Sequence, residues 1–492
     1  MTILRNGRLT DEIRQYNSKY LLFLPLVDRR GTDIRPRLAE SWDHSPDYRT
    51  WTFHLRHDVR WHDGVPVTAH DVAFSLELFA HPDVLFNARI WGVDSVSVPD
   101  EHTITLVMSE TMLGDPRHSW PVFFPRHLLE NLDPAEFYEW DFWTHPIGNG
   151  PYRFARYVPR TAMELEANAD FYAGKPSIER VIIRSGSRNP VVELRGGAAD
   201  VAFDLRPADV LALGDDPRFE VYHHGDGAEL YVLYWNHRHP MLADAAVRRA
   251  LDHAIDRREL ARILAFPDDV PLVGGLGNDG LLDPEGRREW DRVPTHDPAL
   301  AARLLDEAGW VDRDADGIRE KGGQQARFTL LVPQSEALGG VAQGLLLQEQ
   351  FEDVEVRVEI RPAESAGLVR DAVEGGDFEA AITWVDQDPH TILHTWLGEP
   401  TEAGGRASEL RPLGYHDPEA AHLLEALMAT PEPRARDTLY LRFNEIFRRD
   451  APVAILLPGV YNHAANRRIR GFRPSWPFVL NYAEELSIER QP

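Results

Sequence analysis

No cysteine occurs among the 492 residues. That rules out disulfides, thiolate metal sites and a cysteine nucleophile. No run approaches the roughly 18 apolar residues of a membrane-spanning helix. The opening segment MTILRNGRLTDEIRQYNSKYLLFLPLV has no basic region followed by a long apolar stretch, and Pro25 breaks its one apolar run, so no export signal is visible. A cytoplasmic chain, or one whose leader has been left out, is expected from that segment alone. Basic residues are in deficit, 53 against 79 acidic, for a formal charge of −26. Such a balance argues against nucleic acid or an anionic membrane as partner, since both demand a concentrated basic surface. There is no GxSxG elbow for a serine hydrolase, and carboxylate pairs are too common in so acidic a chain to mark a glycosidase. No short-period repeat suggests a solenoid.

What is present is an ordinary globular composition, 43% apolar and 27% charged, with length for two or three domains. The stretch WTFHLRHDVRWHDGVPVTAHDVAFSLE (51–77) is rich in histidine and aspartate and invites a metal or catalytic reading. Its pattern is that of scaffold. Trp51, Phe53 and Leu55 alternate with polar residues at the period of a half-buried strand. His62-Asp63-Gly64 is turn chemistry. Thr68 to Asp71 forms a capping box ahead of an apolar helical face at Val72, Ala73, Leu76, Phe79 and Ala80. His54, His57 and His70 are then expected to point outward, with Asp63 and Asp71 structural.

Seven segments in order carry a resemblance: Leu38–Trp42 with Phe53–Arg56, His62–Gly64 and Thr68–Ser75; IGNGPYRFARY (147–157); ELEANADFYAGKPSIERVIIR (164–184); GAADVAFDL (197–205); AVRRALDHAIDRREL (246–260); DPALAARLLDEAGW (297–310); and LYLRFNEIFRRDAPVAILL (439–457). Together they resemble the peptide/nickel class (family 5, cluster C) of extracytoplasmic solute-binding proteins, which serve ABC transporters. The resemblance implies an α/β, two-lobe periplasmic-binding-protein-like fold (type II) with an extra accessory α/β domain. Lobe I is expected from 1–35, 146–234 and 458–492, the accessory domain at 36–145 and lobe II at 235–457. The chain is expected to cross between lobes near AELYVLYWN (228–236) and PVAILLPGV (452–460), both apolar enough for buried strands. Relatives begin with a strand ahead of the segment that resembles residues 15–27, so this chain is expected to start late.

Four further motifs have bland explanations. GLGNDG (275–280) satisfies GxGxxG but leads into no amphipathic helix, which makes it a turn-rich loop. DRDADGIRE (312–320) begins like a calcium loop, yet position twelve is Gly323 and not glutamate; it is expected to be a turn whose aspartates bond their own amides. His390 and His394 share one helix face without a third ligand, and His223-His224 lie on opposite faces of a strand.

The segment ITWVDQDPHTILHTW (382–396) is the most informative for a ligand. Asp388 is expected to cap a helix beginning at Pro389. In peptide-binding relatives the first aspartate of the similar stretch holds the ligand's α-ammonium. The resemblance assigns that role to Asp386, although the spacing to Pro389 is one residue shorter here. Tyr234, Trp235 and Asn236 at one crossover, with Thr383, Trp384 and Asp386 in the second lobe, are the expected ligand contacts in a cleft that closes by a hinge. The implied function is capture of a small solute, by default a peptide, for the membrane permease of an ABC importer. A periplasmic or cell-surface monomer is implied, without catalysis, cofactor, metal or nucleic acid. An oligosaccharide, an opine-like solute, nickel or a metallophore are the alternative ligands, and a cytoplasmic sensor of the same fold the alternative role.

Overall fold

Alternating polarity becomes strand and box becomes helix in the computed structural model of the chain. It describes all residues except 6–18, 31–32, 82, 85–92, 109–120, 160, 186–188, 225–228, 269, 271, 276–291, 335–339, 387–391, 393–395, 398–411, 431–432, 475–479, 481 and 490–492. Two units result: 1–205 with 212–224 and 461–492, and 206–211 with 225–460.

The first unit begins with β1 (Thr2–Arg5), whose residues pair in parallel with two strands far along the chain. A four-stranded antiparallel sheet follows, from β2 (Ala39–His44), β3 (Thr50–Leu55), β4 (Val93–Asp100) and β5 (Thr103–Met108), in the order β2-β3-β5-β4. This sheet lies within the first unit. Trp51, Phe53 and Leu55 are buried on its inner face, and α1 (Ala69–Phe79) packs beside it. Asp71 Oδ2 accepts from the Thr68 amide at 2.8 Å, closing the capping box from its acidic side, while Oδ1 accepts from the Arg126 amide at 2.9 Å. Asp63 pairs with His127 at 2.8 Å and takes the Val65 amide. His57 and His70 are exposed and His54 is half-buried. His62 alone turns inward: its Nε2–H donates to the Gly150 carbonyl at 3.1 Å and its Nδ1 accepts from the Gly148 amide at 3.2 Å. The histidine-rich stretch is scaffold, joined to the 148–150 turn.

That turn needs its glycines. A Cβ on Gly148 would stand 1.9 Å from the Leu22 carbonyl oxygen, and one on Gly150 2.6 Å from the Leu22 carbonyl carbon. The main sheet of this unit continues through β6 (Tyr152–Val158), β7 (Ala162–Ala167), β8 (Arg180–Ser185), β9 (Val201–Ala202) and β10 (Phe219–His224).

The second unit holds a five-stranded sheet of β11 (Glu229–Trp235), β12 (Arg327–Pro333), β13 (Arg357–Ala363), β14 (Ala380–Asp386) and β15 (Val453–Pro458), in the order β13-β12-β14-β11-β15. The apolar run of β11 is explained by burial on both faces. Tyr231, Leu233 and Trp235 enter one core, and Leu230, Val232 and Tyr234 the other. β11 pairs on both sides with strands of this sheet, and the two units divide at 224/225 and 460/461. The helix expected over 246–260 is broken. Ile255 is extended after α2 (Ala245–Ala254), and the Asp256 side chain caps α3 (Arg257–Ile263) by accepting from the Arg258 and Glu259 amides. Two further helices flank the sheet, α4 (Gly340–Glu352) and α5 (Ala366–Gly375). The chain then returns as β16 (Tyr461–Asn466), which inserts into the first unit's sheet between β10 and β9 to give β10-β16-β9-β1-β8-β7-β6.

Candidate functional site

Strand direction in the second unit defines two unlike edges. β12 runs parallel to β13 and β14, and β11 is antiparallel to both β14 and β15. The carboxyl ends Pro333, Ala363, Asp386 and Pro458 therefore share one edge with Glu229, the first residue of β11. In open α/β sheets ligands sit beyond the carboxyl ends of the strands, so this edge is the candidate site.

The register places each expected contact. Glu229 stands opposite Asp386, Tyr231 opposite Trp384, Val232 opposite Thr383 and Trp235 opposite Ala380. Asp386 and Trp384 are at the carboxyl edge, with Thr383 buried one residue inward. The Arg370 guanidinium of α5 lies 5.7 Å from the centre of a Trp384 ring, a cation–π arrangement. Tyr234, Trp235 and Asn236 lie at the opposite, amino edge, about 17 Å along β11 from Glu229. There the Trp235 ring is wholly buried, edge-on to Phe328 at 6.1 Å. The Tyr234 hydroxyl accepts from the Trp396 indole at 3.4 Å. The Asn236 amide donates to the Phe378 carbonyl at 2.6 Å while its oxygen accepts from the Arg238 amide at 3.0 Å. The six residues thus form two groups that the fold does not bring together.

Tyr231, which the sequence alone does not single out, joins Trp384 at this edge. It is buried beside Trp384, and burial, with the Glu229 carboxylate second, raises its hydroxyl pKa. The period of β11 puts Tyr231 on the face of Trp235, but only the strand pairing puts it next to Trp384.

The pattern of the bacterial extracellular solute-binding proteins, family 5 (middle), matches residues 33–403. The chain belongs to this family. An ABC-transporter peptide-binding protein of Brucella ovis is 32% identical over 302 residues, 58% of this chain and 55% of that protein; the chain spans about half the length of the Brucella relatives it matches. Di/tripeptide-binding protein 1 of Pseudomonas aeruginosa is 26% identical over 94% of this chain and 88% of its own length. Among solved structures, the oligopeptide-binding protein AppA of Bacillus subtilis with a nonapeptide has a TM-score of 0.73 at 19% identity, covering 100% of this chain and 99% of AppA. NikZ of Campylobacter jejuni with Ni(L-His) has a TM-score of 0.75 at 24% identity, covering 99% of each. At these identities the likeness shows the fold, which is the α/β fold of the family 5 proteins.

In this family 5 protein the remaining motifs resolve locally. Asp312 accepts from the Ala315 amide at 2.8 Å and the Gly317 amide at 3.0 Å, and Asp316 from the Ile318 amide at 2.9 Å, as expected of a self-bonded turn. Asp312, Asp314 and Glu320 lie close enough that one oxygen of each falls within 4.8 Å of the others. His223 Nδ1 is engaged by Asn462 Oδ1 at 2.7 Å. The Asp388–Pro389 cap, the His390/His394 pair and all of GLGNDG beyond Gly275 lie outside the described residues. Among the described residues no helix is long and apolar enough to cross a membrane.

Proposed function

We infer that this family 5 protein captures a peptide and hands it to the permease of an ABC importer on the extracytoplasmic side of the membrane, without chemical change to the peptide. The observation that carries this reading is the match to di/tripeptide-binding protein 1, which extends over 94% of the chain; the Brucella peptide-binding relatives support it. The ligand lies at the carboxyl edge of the second unit's sheet. Asp386 takes the peptide's α-ammonium, because a desolvated ammonium requires a carboxylate partner. Trp384 and Tyr231 provide flat walls. Thr383 supports Trp384 from behind, and Tyr234, Trp235 and Asn236 hold the far end of the same strands in place.

The test is calorimetric titration with di- to nonapeptides, free and N-acetylated, against wild type and Asp386→Ala. Wild type should bind free-amine peptides, and the substitution should weaken them at least tenfold while leaving acetylated ones alone. Equal affinity of both proteins for the free-amine peptide removes Asp386 from the role. Binding of a sugar or of a nickel–histidine complex in preference to every peptide replaces the ligand. Mass spectrometry of the recovered peptide should find it intact.

A further inference from the structure

Gln343 is about 1% exposed, and neither its amide oxygen nor its amide nitrogen has a hydrogen-bond partner. It lies near the start of α4, on the buried stripe that runs through Leu347 to Phe351. The Phe351 ring lies 6.3 Å from that of Trp235 at the amino edge. Eight helical residues rise about 12 Å and four strand residues about 13 Å. Gln343 therefore lies toward the carboxyl end of β12, on the face of the sheet that carries Tyr231 and Trp384. Gly344 packs closely on the same face: a Cβ there would stand 2.8 Å from Val332 Cγ1, in the next-to-last residue of β12, and 3.3 Å from Ile360 Cδ1, at the middle of β13.

A buried amide with both functions unsatisfied destabilises the fold relative to an apolar side chain of the same shape. A cost of that kind calls for an explanation in a native fold, and functional sites are where such costs cluster. We propose that Gln343 is a specificity-determining residue of the carboxyl edge, whose amide pairs with a peptide bond of the bound ligand once the first turn of α4 yields. One amide offers an acceptor and a donor together, which complements the N–H and C=O of an extended peptide and suits no simple anion or metal ion. Gly340, at a φ of +44°, gives that turn its pliability. The proposal rests on the peptide reading above.

The full-length protein carrying Gln343→Leu or, for a closer fit in length, Gln343→Met provides the test. Without ligand, Tm should rise by about 2–6 °C, and affinity for the peptides that wild type binds should fall at least tenfold. Peptide should slow hydrogen exchange across residues 340–344 in wild type and not in the variants. A lowered Tm in both variants means the amide is satisfied in the resting fold and overturns the proposal. So does unchanged affinity in variants of a wild type that binds. A wild type that binds no peptide sinks the functional reading as well, and only that result does so.

Discussion

Because both nitrogens of His62 are engaged with the 148–150 turn, a proton on Nδ1 would break the bond from the Gly148 amide. Burial pushes the pKa of this imidazole down to about 4. His237 behaves alike: burial, then the Arg248 charge, bring it to about 4, and its Nε2–H donates to the Pro452 carbonyl at 3.0 Å. Unfolded, both rings take a proton near pH 6.5. Between about pH 6.5 and 4 the unfolded chain therefore binds more protons than the folded one, and each ring removes up to about 1.4 kcal/mol of stability per unit of falling pH. The contribution is full above pH 6.5 and gone at pH 4. Urea titrations at pH 7, 5.5 and 4.5 should follow this decline, and His62→Gln should flatten part of it. A wild-type stability that holds constant over the window refutes the assignment. No period or spacing in the sequence announces these pKa shifts, since the backbone groups that hold the two rings lie 86 and 215 positions away.

At the scale of elements, the approach of the 148–150 turn to Leu22 is the tightest constraint. Gly148→Ala puts a methyl inside the Leu22 carbonyl, so backbone must shift; a loss of about 3 kcal/mol or more is expected by chemical denaturation. A loss under 1 kcal/mol would mean that the turn adjusts freely. The same scale separates what the sequence discloses from what it withholds. Strand β3 is legible in its alternation, β11 in its unbroken apolar run, and the start of α1 in Thr68–Asp71, because each depends on neighbours along the chain. Pairing is not local. Nothing within 228–236 or 382–386 says that Glu229 faces Asp386 and Trp235 faces Ala380, so grouping Tyr234–Asn236 with Asp386 joined two ends of one sheet. β1 was hidden for a related reason: Ile3 and Leu4 are too short an apolar run to signal a strand, and neighbours more than 170 residues on supply its partners. Ile255 shows local competition, where the Asp256 cap overrides helical spacing.

For the whole molecule the net charge of −26 dominates. Self-repulsion of that size destabilises the compact state and is screened over about 10 Å at 0.1 M salt. Exposed pairs such as Arg153–Asp170, at 2.8 Å, each contribute little and lose little to salt. Scanning fluorimetry should therefore show Tm rising between 0.05 and 0.5 M sodium chloride; a falling Tm would show that the ion pairs outweigh the repulsion. The place of β16 between β10 and β9 governs how the polypeptide is born. A ribosome that has reached Val460 has produced every strand of the second sheet, while the first still has an open slot that only Tyr461–Asn466 can fill. Through the translation of some 236 residues, β10 and β9 expose unpaired backbone to any passing chain. Nascent molecules stalled before position 461 should thus be the aggregating species, and a chaperone that shields β-edges would act on the amino-terminal portion.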